Sequence, residues 1–579
     1  MEGSSPMTAR ATDADFADAA RPRRSNAAIM FAAEGFDTSR PKLMGRHAAG
    51  EGFLRGFARH AGVDRFWALA PTEADGHYFT EAVRQVTPGV PVSVTSYARL
   101  DMLKEPGSLF LPGPGVADHA WMRRAKCDQR DFSISGITHT TASFAAMDSI
   151  AGLVTGPVQR WDALICSSVA VRKTIDRVIE AQLDFFRDRL GATGKPALPE
   201  LPVIPLGVDC DGFKPNGAAR KAWRERLRIG ERDLVLLFMG RLSFHAKAHP
   251  LPMYLAAEAA AKAIKGKVHL IQAGWFANDA IEQAFRSGAR EFCPSVNAVF
   301  LDGRKKDVRT EIWAAADVFV SFSDNIQETF GLTPIEAMAA GLPCLVSDWD
   351  GYMDTVRDGE DGFRVRTWQA PAPLGEDLIY RQVTGADSYD RYCGNACQFV
   401  AVDLQDACDA LVRLAKNREL REKLGEQARR RARDSFDWKV VIGQYQQLWQ
   451  ELARIRKDAK ESAPRGKGPA SPARLDPFDA FAHYPTTALA PDTKIAAVAG
   501  ADVKRLDIMR RNPASSYASS VFPERADCMA VLAHLATAKT ATADELATLA
   551  PPERRDSLRR GLVWLAKHGL VKLQIPDVR

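Results

Sequence analysis

"ADVFVSFSDNIQETFGLTPIE" (316–336) runs from an apolar, β-branched stretch through a short polar loop into the start of a helix. Two carboxylates, Glu328 and Glu336, bracket the uncharged "TFGLTPI". Helix chemistry accounts for half of this pattern. Thr333 reads as an N-cap, Pro334 as the first helical residue and Glu336 as the partner of a capping box. Glu328 and Gly331 remain, and both point to a ligand. A glycine lets backbone approach a bound group closely, and the unpaired N–H groups opening a helix form an anion site. A phosphate held there would lie beside Glu328, and a glutamate can grip vicinal hydroxyls. A phosphate flanked by two polyhydroxylated rings is a nucleotide-sugar.

Outward from this stretch, apolar runs alternate with helical segments. "AAIMFAAE" (27–34), "PVSVTSYA" (91–98), "GSLFLPG" (107–113), "FSISGITHT" (132–140) and "WDALICSS" (161–168) read as strands. A second series comprises "DLVLLFMGR" (233–241), "KVHLIQAGW" (267–275), "NAVFLDGR" (297–304), "ADVFVSFS" (316–323) and "PCLVSDW" (343–349). Alternation of this kind predicts α/β architecture: two doubly wound, Rossmann-like domains joined near "LPVIPLGVD" (201–209) and facing one cleft. "FMGRLSFHAK" (238–247) ends a strand of the second series and brings Arg241 and Lys247 to the rim. Two cations there suit a diphosphate.

"PLGVD" (205–209), "GRLSFHAK" (240–247), "ETFGLTPIEAMAAGLPCLVSD" (328–348) and "DGEDGFRV" (358–365) follow one another in this order. The chain thereby resembles the family 4 retaining glycosyltransferases of GT-B fold, glycosyltransferases group 1, over about residues 25–455. The resemblance implies that Glu328 contacts the transferred sugar and Glu336 the ribose. It makes Arg241 and Lys247 the diphosphate pair, with one more residue between them than the usual pattern has. The amides of Phe330, Gly331 and Leu332 would face the diphosphate. His139, closing the strand at 132–140, matches a family histidine directed at the sugar. Gly50 and Gly52, in "GRHAAGEGFLRGF" (45–57), would belong to a loop bordering the donor; as a dinucleotide fingerprint the stretch fails, because its third glycine stands at Gly56. A helix over 438–455 would cross back to brace the first domain. The implied activity moves a sugar from a nucleotide-sugar donor to a sugar, lipid-linked or peptide acceptor. It needs no metal or other cofactor, and the leaving diphosphate itself takes the acceptor's proton. Asp348-Trp349-Asp350 repeats a D-x-D that holds a divalent metal in the other glycosyltransferase architecture; here it is expected to shape the next loop.

Composition sets the outer bounds. At 579 residues, with 46% hydrophobic and 26% charged content, the chain is expected to be globular with several domains. No run approaches the length of a membrane-spanning helix, and the first residues lack the apolar segment of a secretory signal. Nine scattered cysteines, an odd number without C-x-x-C, read as reduced thiols of the cytoplasm, with at most peripheral contact at the inner face of a membrane. The net charge of +6 selects no partner.

The expected organisation is a disordered N-terminus (1–24), an acceptor domain (25–205), a nucleotide-sugar domain with its closing helix (206–457), a linker (458–485) and a winged-helix-like module (486–579). Arg554, Arg555, Arg559, Arg560 and Lys567 decorate that module's third helix, while Leu558, Leu562 and Leu565 form its core stripe. Exposed arginines commonly do no more than solvate a helix, so the module is expected to recruit an acceptor or a protein partner rather than nucleic acid. Residues 368–399 look like an insertion without a readable role. A GT-B isomerase or phosphorylase, or a nucleotide-sugar-sensing DNA-binding regulator, would share many of these features.

Overall fold

The computed structural model describes residues 24–36 and 45–574, so the expected disordered N-terminus lies almost wholly outside the described residues. Two compact units divide at Ser471–Pro472.

In the first unit, β1 (Ala28–Met30), β2 (Phe66–Leu69), β3 (Val92–Thr95), β4 (Ser108–Leu111), β5 (Ser133–Thr138) and β6 (Ala163–Cys166) form a parallel sheet in the order β3-β2-β1-β4-β5-β6. A second parallel sheet contains β7 (Leu234–Met239), β8 (Val268–Gly274), β9 (Val296–Asp302), β10 (Val318–Ser321), β11 (Cys344–Ser347) and β12 (Gly362–Val365), ordered β12-β11-β10-β7-β8-β9. Counted from its own first strand, the second order is identical to the first. The fold is therefore α/β with two doubly wound lobes, and in each the order reverses beside the first strand. Most central strands are buried throughout, as sheets covered on both faces require.

One helix joins the lobes. α1 (Gly45–His60) lies in the first lobe, α2 (Leu332–Ala339) in the second, and α3 (Glu376–Val383) and α4 (Tyr389–Cys397) in the expected insertion. The fifth, α5 (Trp438–Asp458), returns to the first lobe as anticipated. Its Tyr445 and Trp449 rings meet Phe53 and Phe57, at centroid distances of 5.2 and 5.7 Å. Trp449 Nε1 donates to Ser135 Oγ at 3.1 Å. Where the chain crosses between lobes, Val208 N donates to Phe436 O and Trp438 N to Val208 O, at 2.8 and 3.1 Å. The indole of Trp438 lies so close that a Cβ on Gly207 or Gly56 would stand 2.4 or 2.6 Å from it.

The second unit, Pro472–Arg579, has a three-stranded antiparallel sheet, Lys494–Ala497 between Thr540–Thr542 and Val571–Leu573. Helices Val503–Arg511, Arg525–Ala538 and Arg555–Lys567 and the capping box Thr542–Glu545 accompany it. Leu506, Val531, Leu535, Leu558, Leu562 and Leu565 share its core. The expected linker is in part tied down within the first unit. Arg124 and Gln129 donate to Ala463 O at 2.8 and 2.7 Å, Arg124 also to Ala470 O at 3.1 Å, and Ser462 N donates to Gln159. Among the described residues no helix is long and apolar enough to cross a membrane.

Candidate active site

β7 and β10 lie side by side at the point where the second sheet reverses its order, and the loops leaving their carboxyl ends carry the charged residues singled out in the sequence. Crevices of this kind hold ligands in open α/β sheets. The β7 loop supplies Arg241 and Lys247, the β10 loop Glu328. Lys247 Nζ lies 2.9 Å from Glu328 Oε2, and Arg241 Nη2 donates to Gln327 Oε1 at 2.9 Å.

Asn325, fully buried, ties the two loops together. Its Nδ2 donates to His245 O at 2.9 Å, its Oδ1 accepts from Gln327 N at 2.9 Å, and its carbonyl accepts from Trp349 Nε1 at 3.1 Å. Sequence reasoning passed over both Asn325 and Gln327. The Asn-x-Gln spacing beside Glu328 was the available signal, since asparagine commonly bonds the backbone two residues on.

Burial works to raise the Glu328 carboxyl. The Lys247 ammonium, by charge and hydrogen bond, and the N–H groups of Thr329 and Phe330 outweigh it and hold the group below the usual carboxylate range. Asp350 goes the other way: burial and the Glu328 charge raise it well above its ordinary value. Burial likewise pushes Glu336 up to about 7 despite Arg309, and Asp324 up to about 7. Asp324 Oδ2 accepts from His249 N at 3.1 Å, while its Oδ1 is buried without a partner.

Three expectations are corrected. α2 starts at Leu332 with Gly331 as its N-cap and no side-chain cap, so Thr333, Pro334 and Glu336 form no capping box. Gly331 is demanded by its own surroundings. It sits at φ +88°, and a Cβ there would come within 2.2 Å of the Tyr352 ring. Gly50 and Gly52 lie inside α1 and not in a loop. A Cβ on Gly52 would stand 3.2 Å from Trp438, and one on Gly50 2.8 Å from Gly35 O. Packing explains both positions, Gly50 against Gly35 and Phe36 and Gly52 against the distant Trp438, although Gly50 also lines a small cavity with His139, Phe53, Phe110, Trp438 and Tyr445.

His139 follows β5 in the first lobe, and its carbonyl accepts from Thr329 Oγ1 at 3.1 Å, beside Glu328. The structure thus sets the His139 backbone beside the Glu328 loop, where Glu328 meets Lys247 and Gln327 holds Arg241. The Phe330 side chain is buried against Phe436, leaving its backbone toward Glu328. Phe330, Gly331 and Leu332 stand at the opening of α2, where N–H groups gather. Asp348 pairs with Arg364 at 3.2 Å, and Asp350 adopts φ +48° in the following turn. Among the described residues no cluster of three or more His, Cys, Asp or Glu side chains could hold a metal ion.

Residues 219–372 match the family model of glycosyl transferases group 1. Arg241, Lys247, Glu328 and Glu336 fall inside the matched residues. The chain is 33% identical over 244 residues to the D-inositol 3-phosphate glycosyltransferase of Geodermatophilus obscurus, covering 40% of this chain and 50% of that protein. It thus spans about half the length of that relative. It is 26% identical over 278 residues to the GDP-mannose-dependent alpha-(1-6)-phosphatidylinositol monomannoside mannosyltransferase of Mycobacterium tuberculosis, covering 46% of this chain and 70% of that protein. Anabaena HepE in complex with UDP is a similar solved structure, at 15% identity and a TM-score of 0.48, covering 71% of this chain and 98% of that chain.

Proposed function

We propose that the chain is a retaining glycosyltransferase that moves a sugar from a nucleoside diphosphate to an acceptor hydroxyl without a metal ion. The Lys247–Glu328 contact at the switch point of the second sheet, with Arg241 held beside it by Gln327, carries this reading. It sets two cations and an ionised carboxylate where a diphosphate and its sugar would meet.

In the reaction, the bond from the anomeric carbon to the diphosphate oxygen breaks, and a bond to the acceptor oxygen forms on the same face. The acceptor's proton passes to the departing diphosphate. Arg241 and Lys247 stabilise the charge growing on that group, the kind of preorganised help that usually dominates. Lys247 exchanges its contact with Glu328 for a phosphate oxygen, and Glu328, freed, orients the sugar hydroxyls. Glu336, its carboxyl raised by burial, can donate to ribose hydroxyls when protonated and accept from them when ionised. His139 approaches the sugar from the first lobe.

The names of the relatives favour a polyol or lipid-linked acceptor over a peptide. The second unit is read as a winged-helix-like module that recruits an acceptor or a protein partner. Two of the arginines on its third helix are engaged: Arg554 donates twice to Asp527 at 2.9 Å, and Arg559 meets Asp544 at 2.9 Å and Asp556 at 3.0 Å. This pairing speaks against a recognition helix for nucleic acid, and with it against the DNA-binding regulator.

A thermal-shift screen of UDP, GDP, ADP and their sugars tests the donor class, followed by NMR of the product anomer. One nucleoside series should raise the midpoint, and an α-linked donor should give an α-linked product. No shift with any of them, or an inverted product, contradicts the reading. EDTA should leave turnover unchanged; loss restored by manganese or magnesium would overturn the metal-independent mechanism.

A further inference from the structure

After β12 the chain leaves the second lobe as β13 (Thr367–Gln369), forms α3 and α4, and returns as β14 (Val400–Val402), which pairs antiparallel with β13. The excursion therefore has its own stem. Its far end is fastened too. Arg381 donates to both oxygens of the buried Asp387, at 2.8 and 3.0 Å, and Asn395 donates to the same carboxylate at 2.8 Å. α4 packs on the loop that carries the two cations: a Cβ on Gly394 would stand 3.0 Å from His245 Cβ, and Cys397 Sγ lies 3.8 Å from Phe244 O.

Tyr389 opens α4. Its hydroxyl lies 3.1 Å from Oγ1 of Thr140, the residue after His139 in the first lobe. Gln327, whose Oε1 accepts from Arg241 at 2.9 Å, is near enough to act electrostatically on the same hydroxyl. A line of contacts thus runs from the first lobe through Thr140, Tyr389 and Gln327 to Arg241. A tyrosine suits the task, because its ring is rigid and its hydroxyl can donate one hydrogen bond while accepting another.

We propose that Tyr389 is a positioning residue whose hydroxyl latches the inserted helix to the first lobe and, through Gln327, fixes Arg241 for its work on the leaving diphosphate. The positioning role rests on the glycosyl-transfer reading; the latch does not. Arg241 acts on charge that grows during reaction, so loosening it should lower kcat more than it raises the donor KM.

The test is a double-mutant cycle on the full chain with Y389F and T140V. Amide hydrogen exchange is followed over residues 139–143 and 324–331, and transfer kinetics with the donor found by the thermal screen. Each single variant should speed exchange in both stretches, and the double variant should exchange no faster than the faster single one. Y389F should lower kcat roughly tenfold, with donor KM changed less than about threefold. Unchanged exchange, or additive effects of the two substitutions, overturns the latch. Coupled exchange with undiminished kcat overturns the positioning role. If the unaltered chain turns over no donor, the glycosyl-transfer reading fails and the positioning role with it, while the exchange cycle still decides the latch.

Discussion

Arg123 and Asp162 meet in the core of the first lobe with both side chains fully buried, whereas Lys247 and Glu328 meet in the cleft at 34% and 13% exposure. The buried pair is bidentate, at 2.7 Å for each contact. Asp162 also accepts from the N–H groups of Ile134 and Gln159, and Arg123 donates to Phe132 O. That carboxylate has partners on every side and ties β5 to the turn before β6. Lys247, by contrast, makes one contact with Glu328 and keeps partial access to water. A pair with all its bonds inside the fold can be replaced only by unfolding. A pair joined by one contact, with its lysine partly exposed, can trade one partner for an incoming charge, as a diphosphate site requires.

Removing one member of each pair should separate these roles most widely. Arg123→Met leaves Asp162 buried and uncompensated, at a cost of about 3–5 kcal/mol in urea unfolding. Lys247→Met should cost less than Arg123→Met, because Lys247 is partly exposed and Glu328 keeps the N–H groups of Thr329 and Phe330 and can take up a proton. Equal losses would erase the distinction between a structural and an exchangeable pair.

The carboxylates around the cleft sharpen the same contrast through pH. Asp324, raised from 3.8 to about 7 by burial, holds a proton in the folded chain that the unfolded chain has already released. The stability it contributes is fully present below about pH 4 and is lost as pH rises through about 7. Asp324→Asn keeps an acceptor for His249 N and removes the titration. The variant should therefore lose less stability than the parent between pH 5 and pH 8, by on the order of 1–3 kcal/mol. Parallel losses in the two proteins would mean that Asp324 titrates normally.

Strand positions were mostly legible because parallel strands covered on both faces are short apolar runs. β2 was not recognised: "FWAL" follows α1 closely and carries no β-branched residue. The positions of Arg241 and Glu328 were legible because a charged residue in the loop after a strand needs only local reading. The glycines were not. Gly52 and Gly56 fit the Trp438 indole, and Gly331 fits the Tyr352 ring, contacts made only when distant segments come together. Residues 368–399 were opaque for the same reason, since Tyr389 gains meaning only beside Thr140 and Gln327.

The smallest effect is expected from removing the second unit. Truncation after Ser471 retains the contacts of Arg124 and Gln129 with residues 463–470, which an earlier cut at 457 would destroy. The shortened chain should unfold cooperatively and bind the nucleoside diphosphate found by the thermal screen within about twofold of the parent; aggregation or lost binding would make the second unit part of the enzyme's own structure.

The central claim is that the cleft carboxylate handles the sugar while the cations handle the diphosphate. Glu328→Gln tests it most directly, with nucleoside diphosphate affinity measured by calorimetry and sugar transfer measured in parallel. Affinity should hold or improve, since Lys247 loses its competing carboxylate, while transfer should fall roughly 100-fold or more. Transfer within a few-fold of the parent, or a loss of nucleoside diphosphate binding equal to the loss of transfer, would contradict it.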